Sequence, residues 1–288
     1  MTAKALKKQF SEALSELYPS EEIQSFFSIL SEKHLNMSRL DLTLNPEMAL
    51  SEVISKKYTE ALKRLQNHEP IQYVVGETEF YGLQFKVNRH TLIPRPETEE
   101  LVDWICKELK TQNPVPRTIL DIGTGSGCIA ISLSKIILGS NVSAIDFSGD
   151  TLDVAKHNAS LHKVDIDFIK MDVLKAQQLP SQYEVIVSNP PYVRNLEKDK
   201  MQSNVLNFEP ASALFVSDED PLVFYKKIAS LANKHLTTNG LLYFEINEFF
   251  SRDMVLMLNE FNFKDITVKK DFFGKERMIK CTKNARTK

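Results

Sequence analysis

Glycine is missing from the first 75 residues of a 288-residue chain that holds only nine in all. Without it the backbone lacks a ready source of tight turns and close approaches. This stretch therefore reads as helices, and no cluster of chemistry-bearing side chains interrupts them. Cysteine is as scarce. Cys106, Cys128 and Cys281 are far apart, odd in number and outside metal-ligand spacing. That excludes a paired disulfide framework and a cysteine metal site, and reads as reduced thiols in a cytoplasmic protein. Charge of one sign is never concentrated, and the net charge is -2, which excludes a protein that holds nucleic acid mainly by bulk electrostatics. No apolar run reaches membrane-spanning length, and the N-terminus lacks a signal-peptide pattern. The expectation is a soluble, cytoplasmic monomer with neither a membrane segment nor a metal.

What is present begins with three amphipathic patterns. Leu6, Phe10, Leu14 and Leu17 share one helical face that must end near Pro19. Ser20 offers an N-cap to a second helix carrying Ile23, Phe26, Phe27 and Leu30. A third, after Pro46, carries Val53, Ile54, Tyr58, Ala61, Leu62 and Leu65. Together they read as a small helical bundle over residues 1–75. Asn67-His68-Glu69-Pro70 breaks the pattern, and from Ile71 to Val87 the residues turn β-like, with Gly76 and Gly82 as turn points. A hairpin linker at 76–92 fits, leaving a larger domain over 93–288. Arg95 then stands between Pro94 and Pro96 at the start of a helix whose first turn is acidic.

Beyond Pro114 and Pro116 the pattern becomes α/β. Strand Thr118-Ile119-Leu120-Asp121 runs into Gly123-Thr124-Gly125-Ser126-Gly127, where the backbone must turn tightly and lie against a ligand without a Cβ. The next strand ends in Asp146, a carboxylate suited to two ribose hydroxyls, and a third ends in Asp172, placed to accept from an adenine amino group. Glycine loops also serve dinucleotides, but this one lacks the G-x-G-x-x-G spacing. Its preceding Asp121 can face an ammonium group instead, and a fourth strand ends in Asn189-Pro190-Pro191-Tyr192, for which a dehydrogenase has no use. The ligand expected is S-adenosyl-L-methionine. Two prolines make that last loop stiff and leave it two carbonyls, an amide and an aromatic ring at the ligand-binding end of a sheet. Farther on, Pro221 starts a helix reaching Leu236, Asn239-Gly240 turns into strand 241–246, and Ile266-Thr267-Val268 and Met278 to Cys281 read as a hairpin, with a frayed polar end over residues 283–288.

The loop residues do not stand alone. Pro70-Ile71-Gln72-Tyr73, Gly76 to Phe80, Ile93-Pro94-Arg95-Pro96-Glu97-Thr98-Glu99, the glycine loop, Asn189 to Tyr192 and Phe208-Glu209-Pro210 together resemble the protein-(glutamine-N5) methyltransferases that modify bacterial peptide chain release factors. The resemblance covers residues 70–288. It implies an α/β, Rossmann-like class I S-adenosylmethionine-dependent methyltransferase sheet of seven strands with an antiparallel C-terminal hairpin, and a helical N-terminal domain that docks the release factor. It implies that Gly123 to Gly127 line the methionine, Asp146 holds the ribose, Asp172 and Val173 border the adenine, and Asn189 sits where cofactor meets substrate. Val173 stands where some relatives carry a large aromatic, which favours a backbone contact there. Asn189, Pro190, Pro191 and Tyr192 would grip the glutamine of a Gly-Gly-Gln loop in class 1 release factors, with S-adenosyl-L-homocysteine as product.

An amide nitrogen is a poor nucleophile because its lone pair is delocalised. The workable route is acceptance of both its N–H groups by the Asn189 side-chain oxygen and the Pro190 carbonyl, with Tyr192 packed over the amide plane. Glu245, at the end of a later strand, could order the substrate or this loop. Two other readings compete. An amino-methylating enzyme for DNA or RNA bases shares Asn-Pro-Pro-Tyr, but should show a basic face or a target-recognition insert. A non-catalytic binding protein has no need for Gly123, Gly125, Asp146 and Asn189 together. No stable nucleic-acid binding is expected.

Overall fold

The computed structural model describes residues 1–111 and 117–284, so Pro114, Pro116 and the polar end from 285 lie outside the described residues. The chain forms two compact units, 1–77 with 202–208, and 78–201 with 209–288. The smaller unit contains α1 (Ala3–Leu14), α2 (Ser20–Leu35), α3 (Arg39–Leu44), α4 (Glu52–Gln66) and α5 (Ile71–Val75). Side-chain oxygens of Thr2, Ser38 and Ser51 accept from N–H groups at the starts of α1, α3 and α4, satisfying donors that a helix start leaves orphaned. Phe10, Phe27 and Tyr58 meet as tilted and edge-to-face rings in a core with Leu14, Leu30 and Leu65. The Tyr58 hydroxyl is matched with Ser31 Oγ at 2.6 Å.

Several expectations change here. Leu17 is 41% exposed because α1 stops at Leu14. Val53 is 67% exposed because it lies in the first turn of α4, before the packed face begins. Ser20 is the first helical residue, and Pro19 takes the cap position with no side-chain bond. The helix α3 went unanticipated. The β-like run at 71–75 is a helical turn, α5, closed by Gly76 in the left-handed region. Its end carbonyls explain why: the Arg64 guanidinium donates to the carbonyls of Tyr73 and Val74, 3.0 Å each, while also gripping Glu69. Those bonds outweigh the weak β preference of Val74 and Val75.

β1 (Glu77–Phe80), all but its first residue in the larger unit, and β2 (Leu83–Lys86) form a hairpin. It buries Phe80 and Phe85 against Leu101, Val102 and Ile105 of α6 (Pro96–Thr111). The main sheet uses β3 (Thr118–Ile122), β4 (Asn141–Asp146), β5 (Ile166–Lys170) and β6 (Tyr183–Ser188), with α7 (Cys128–Ile136) and α8 (Gly149–His162) as crossovers. The short β7 (Val193–Arg194) follows; α9 (Ser203–Phe208) falls in the smaller unit; then come α10 (Ala211–Leu214), β8 (Phe215–Val216), α11 (Val223–His235), β9 (Leu236–Glu245), α12 (Ser251–Glu260), β10 (Phe263–Lys270) and β11 (Glu276–Lys283). The seven-stranded order is β10-β11-β9-β6-β3-β4-β5, parallel except for β11. Apolar clusters lie on both faces, as a parallel sheet requires. The expected seven strands and C-terminal hairpin are present. Asn239-Gly240, however, lies inside β9: the register with β6 shifts between Tyr183 and Val185, and Asn239 adopts a positive φ, the signature of a bulge. All three cysteines are buried and free.

The aromatic centre of the smaller unit gives a direct stability test. Phe10→Ala should destabilise it by about 3–5 kcal/mol in urea unfolding; a loss below about 1 kcal/mol would show that the ring cluster is not its core.

Candidate active site

Strand register assembles the site. Ile122 at the end of β3 pairs with Ser188 of β6 on one side and Ile145 of β4 on the other. Ser188 pairs with Phe244 of β9, and Asp146 with Lys170 of β5. The residues that follow, Gly123, Asn189, Asp146, Met171 to Val173 and Glu245, therefore leave the sheet along one edge. Chain connections run one way from β3 and the other way from β6, so the edge between them is a topological switch point, where open α/β sheets bind ligands. A cavity of about 410 Å³ opens there.

Of the expected site residues, Gly123, Thr124, Gly125, Ser126, Asp146, Asp172, Val173, Asn189, Pro190 and Pro191 line that cavity; Asp121, Gly127 and Tyr192 do not. Gly123 and Gly125 have φ of 77° and 58°, and a Cβ on either would meet no atom within 4 Å. Bare backbone here leaves room for a ligand. Gly127 differs, since a Cβ would approach Ile131 Cδ1 to 2.9 Å and Ala155 Cβ to 3.3 Å; its role is close packing of the loop on α7 and α8. Asp146 Oδ2 accepts from the Gly125 N–H and Oδ1 from the Ser148 N–H, both at 3.1 Å. Its carboxylate thus shapes the loop as well as facing the cavity, and burial pushes it above its usual value. Asp172 Oδ1 accepts from the Leu174 N–H and Oδ2 pairs with Lys175, which holds its carboxyl below the ordinary range.

Asp121 lies behind the loop, with Oδ2 accepting from Thr124 Oγ1 at 2.7 Å. Burial pushes its carboxyl up to about 7. It does not line the cavity and bears on it only by fixing the Thr124 side chain. The chemistry of this donor set fits S-adenosyl-L-methionine: bare glycine backbone, an acceptor pair at Asp146 and an apolar wall of Ile145, Val173, Phe224 and Ile228.

Behind the loop that begins at Asn189 lies a polar cluster, which reaches the cavity through Thr98, Arg95 and Asn189. Glu245 is buried and accepts from Thr98 Oγ1 at 2.6 Å and from the Tyr192 hydroxyl at 2.9 Å. Burial raises its carboxyl, while those two hydroxyls and the Arg277 charge pull it back. Asn189 Nδ2 donates to Thr98 Oγ1 at 3.1 Å, and Asn247 Nδ2 donates to the Tyr192 carbonyl at 3.2 Å. Tyr192 is thus pinned at both ends with its ring against the sheet core and anchors the loop. Arg95 donates to Glu209 Oε1 at 2.6 Å, and the Ile93 N–H to Oε2 at 3.1 Å. This buried carboxylate ties the two proline-flanked motifs together. Sequence reasoning missed Thr98 and Arg95–Glu209 as working contacts. The available signal was a charged residue inside an otherwise apolar strand end, Phe244-Glu245-Ile246, and another beside Pro210.

Known proteins match both the helical and the α/β parts of the chain. The Methyltransferase small domain family matches residues 102–214, and the PrmC N-terminal domain family matches residues 5–76. A release factor glutamine methyltransferase of Flavobacterium psychrophilum is 50% identical over 97% of this chain and 99% of its own length. One from Bacteroides thetaiotaomicron is 44% identical over 93% and 95%. The solved structure of T. thermophilus 16S rRNA N2 G1207 methyltransferase, in complex with AdoMet and guanosine, is 16% identical over 72% of this chain and 50% of its own, with a TM-score of 0.52. At that identity the likeness is one of fold.

Burial of Asp121 has a consequence for stability. Its native carboxyl keeps a proton up to about pH 7, whereas the unfolded chain releases it near 3.8. The native state therefore binds more protons between those values, and this contribution to stability is lost as pH rises through them. Denaturant unfolding from pH 4 to 8 should show wild type losing stability relative to Asp121→Asn up to about pH 7. Parallel profiles would contradict a proton on Asp121.

Proposed function

The chain belongs to the release factor glutamine methyltransferases, and from that premise we propose that Asn189, Pro190 and Pro191, on a loop anchored by Tyr192, hold the side-chain amide of the glutamine in the Gly-Gly-Gln loop of class 1 peptide chain release factors during methylation of its nitrogen. One observation carries this reading: the β3–β6 register brings the glycine loop and Asn189 out of the sheet side by side in a single cavity. S-adenosyl-L-methionine supplies the methyl group and leaves as S-adenosyl-L-homocysteine. Gly123, Thr124, Gly125 and Ser126 cradle its methionine end, Asp146 takes the ribose hydroxyls, and Asp172 and Val173 border the adenine. Asp121 and Gly127 support that cradle from behind.

The protein's part in the chemistry is placement. Asn189 Oδ1 and the Pro190 carbonyl are acceptors on a loop that two prolines make rigid. Accepting one N–H each, they turn the amide so that its nitrogen lone pair points at the methyl carbon. The new N–C bond forms as the S–C bond breaks, and the alkylated amide, now strongly acidic, sheds a proton to water without needing a strong base. Preorganised dipoles and orientation are the main source of rate. Tyr192 keeps the loop in place through Glu245 and Asn247. The helical unit, residues 1–75 in this reading, recognises the release factor outside the Gly-Gly-Gln loop. The hairpin at 76–92 serves as the linker, and residues 93–288 form the methyltransferase domain. The enzyme works as a cytoplasmic monomer and holds no nucleic acid stably, consistent with its net charge of -2.

Two experiments test this. Incubation with labelled S-adenosyl-L-methionine, purified release factors and nucleic acid should place label on the Gly-Gly-Gln glutamine alone; label on nucleic acid but not on release factor would favour a base-methylating enzyme. Asn189→Ala should lose nearly all turnover while weakening cofactor affinity only moderately, measured by calorimetry. Near-normal turnover in that variant would mean that the amide is held by other groups.

A further inference from the structure

An asparagine side chain can be inserted either way round, and only one orientation helps an amide substrate. Its oxygen and nitrogen have nearly the same shape, so sterics alone cannot choose between them. If Nδ2 faced the substrate, a donor would meet the donors of the glutamine amide and the loop would repel its target. Something must set the orientation, and the polar cluster behind the loop contains what is required.

We propose that Glu245 and Thr98 form a hydrogen-bond relay that sets the direction of the Asn189 amide, making Thr98 and Glu245 positioning residues for methyl transfer. This inference rests on the reading of Asn189 Oδ1 as an acceptor for the substrate amide. A carboxylate only accepts, so Glu245 draws the single hydroxyl proton of Thr98 towards it at 2.6 Å. With its proton committed, Thr98 Oγ1 can only accept from its remaining neighbour. Asn189 must then offer Nδ2, and the bond is 3.1 Å. The opposite corner of the Asn189 amide, Oδ1, is left for the cavity that Asn189 lines.

The second oxygen of Glu245 is occupied by the Tyr192 hydroxyl at 2.9 Å, and the backbone carbonyl of Glu245 accepts from the Tyr225 hydroxyl at 2.9 Å. The carboxylate therefore cannot swing away from Thr98 without breaking the Tyr192 anchor. One buried acidic group thus orders both ends of the Asn189 to Tyr192 loop. Thr98 reaches it from the first turn of α6, immediately after Pro94-Arg95-Pro96-Glu97. Arg95, whose carbonyl accepts from the Thr98 N–H at 3.0 Å, is itself held by Glu209.

The test compares Thr98→Val, which keeps the branched shape but removes the hydroxyl, with Thr98→Ser, which keeps the hydroxyl. Asn189→Ala is assayed alongside on the same release factor. Thr98→Val should lower kcat by about 10- to 100-fold, the range expected for losing one buried hydrogen bond at a reacting group. Cofactor affinity should stay close to wild type, and Thr98→Ser should recover most of the rate. Thr98→Ala, with a smaller side chain, should show the same loss, which covers the case in which valine disturbs folding. If Asn189→Ala is inactive but both hydroxyl-less variants keep near-wild-type kcat, the relay is wrong and the amide reading survives. Equal losses in Thr98→Ser and Thr98→Val would likewise overturn the relay, because packing and not the proton would then matter. Near-normal turnover in Asn189→Ala would remove the premise itself.

Discussion

The site depends on the level ending of parallel strands. Ile122, Ser188, Ile145 and Phe244 stand opposite one another in the ladder. A slip of one residue in any pair would move its following residue to the other face of the sheet. Ser188 reinforces the pairing by donating its hydroxyl to the Ile122 carbonyl at 2.6 Å, in the buried core. Once that register is set, the glycine loop, the acceptor at Asp146 and the rigid proline loop have no other place to go. The apolar clusters on the two faces hold the register with their bulk, so the core's packing and the site's geometry are one constraint.

Against this apolar background, the buried polar groups matter more than their number suggests. A carboxylate away from water is costly unless it is well hydrogen-bonded. Glu245 collects two hydroxyls near a guanidinium, and Glu209 collects a guanidinium and a backbone N–H. Both satisfy their lone pairs with groups from distant parts of the chain. They therefore act as clamps: each is stable only when α6, the loop after β6 and the end of β9, or the segment before α10, are all correctly placed. Rigid placement is what an amide substrate demands, because its nitrogen gains little from any base the protein could offer.

What the sequence revealed follows from this division between local and distant causes. The glycine loop, the strand-ending acids and the double proline announce themselves because each is required by its own backbone conformation. The hairpin of β10 and β11 is legible because its apolar pattern has a period of two. Thr98 and Arg95 are different. Their partners lie 147 and 114 residues away, and no local pattern says that a threonine in an acidic helix start will meet a glutamate from a strand. Residues 71–75 mislead for a related reason: the local composition is β-branched, but Arg64 and Gly76 close the turn as a helix. Leu17 and Val53 fit a helical face on paper but sit at helix ends, where the face no longer meets the core.

The central claim is that two acceptors, Asn189 Oδ1 and the Pro190 carbonyl, recognise a substrate by its two N–H groups. The most direct measurement uses a release factor whose Gly-Gly-Gln glutamine is replaced by glutamate, in single-turnover transfer of labelled methyl at saturating protein. A carboxylate has no N–H to offer and would meet both acceptors with repulsion, so no methyl ester should form above background. Ester formation at a rate near that of amide methylation would contradict the account, because the loop would then be positioning an atom without reading its hydrogens.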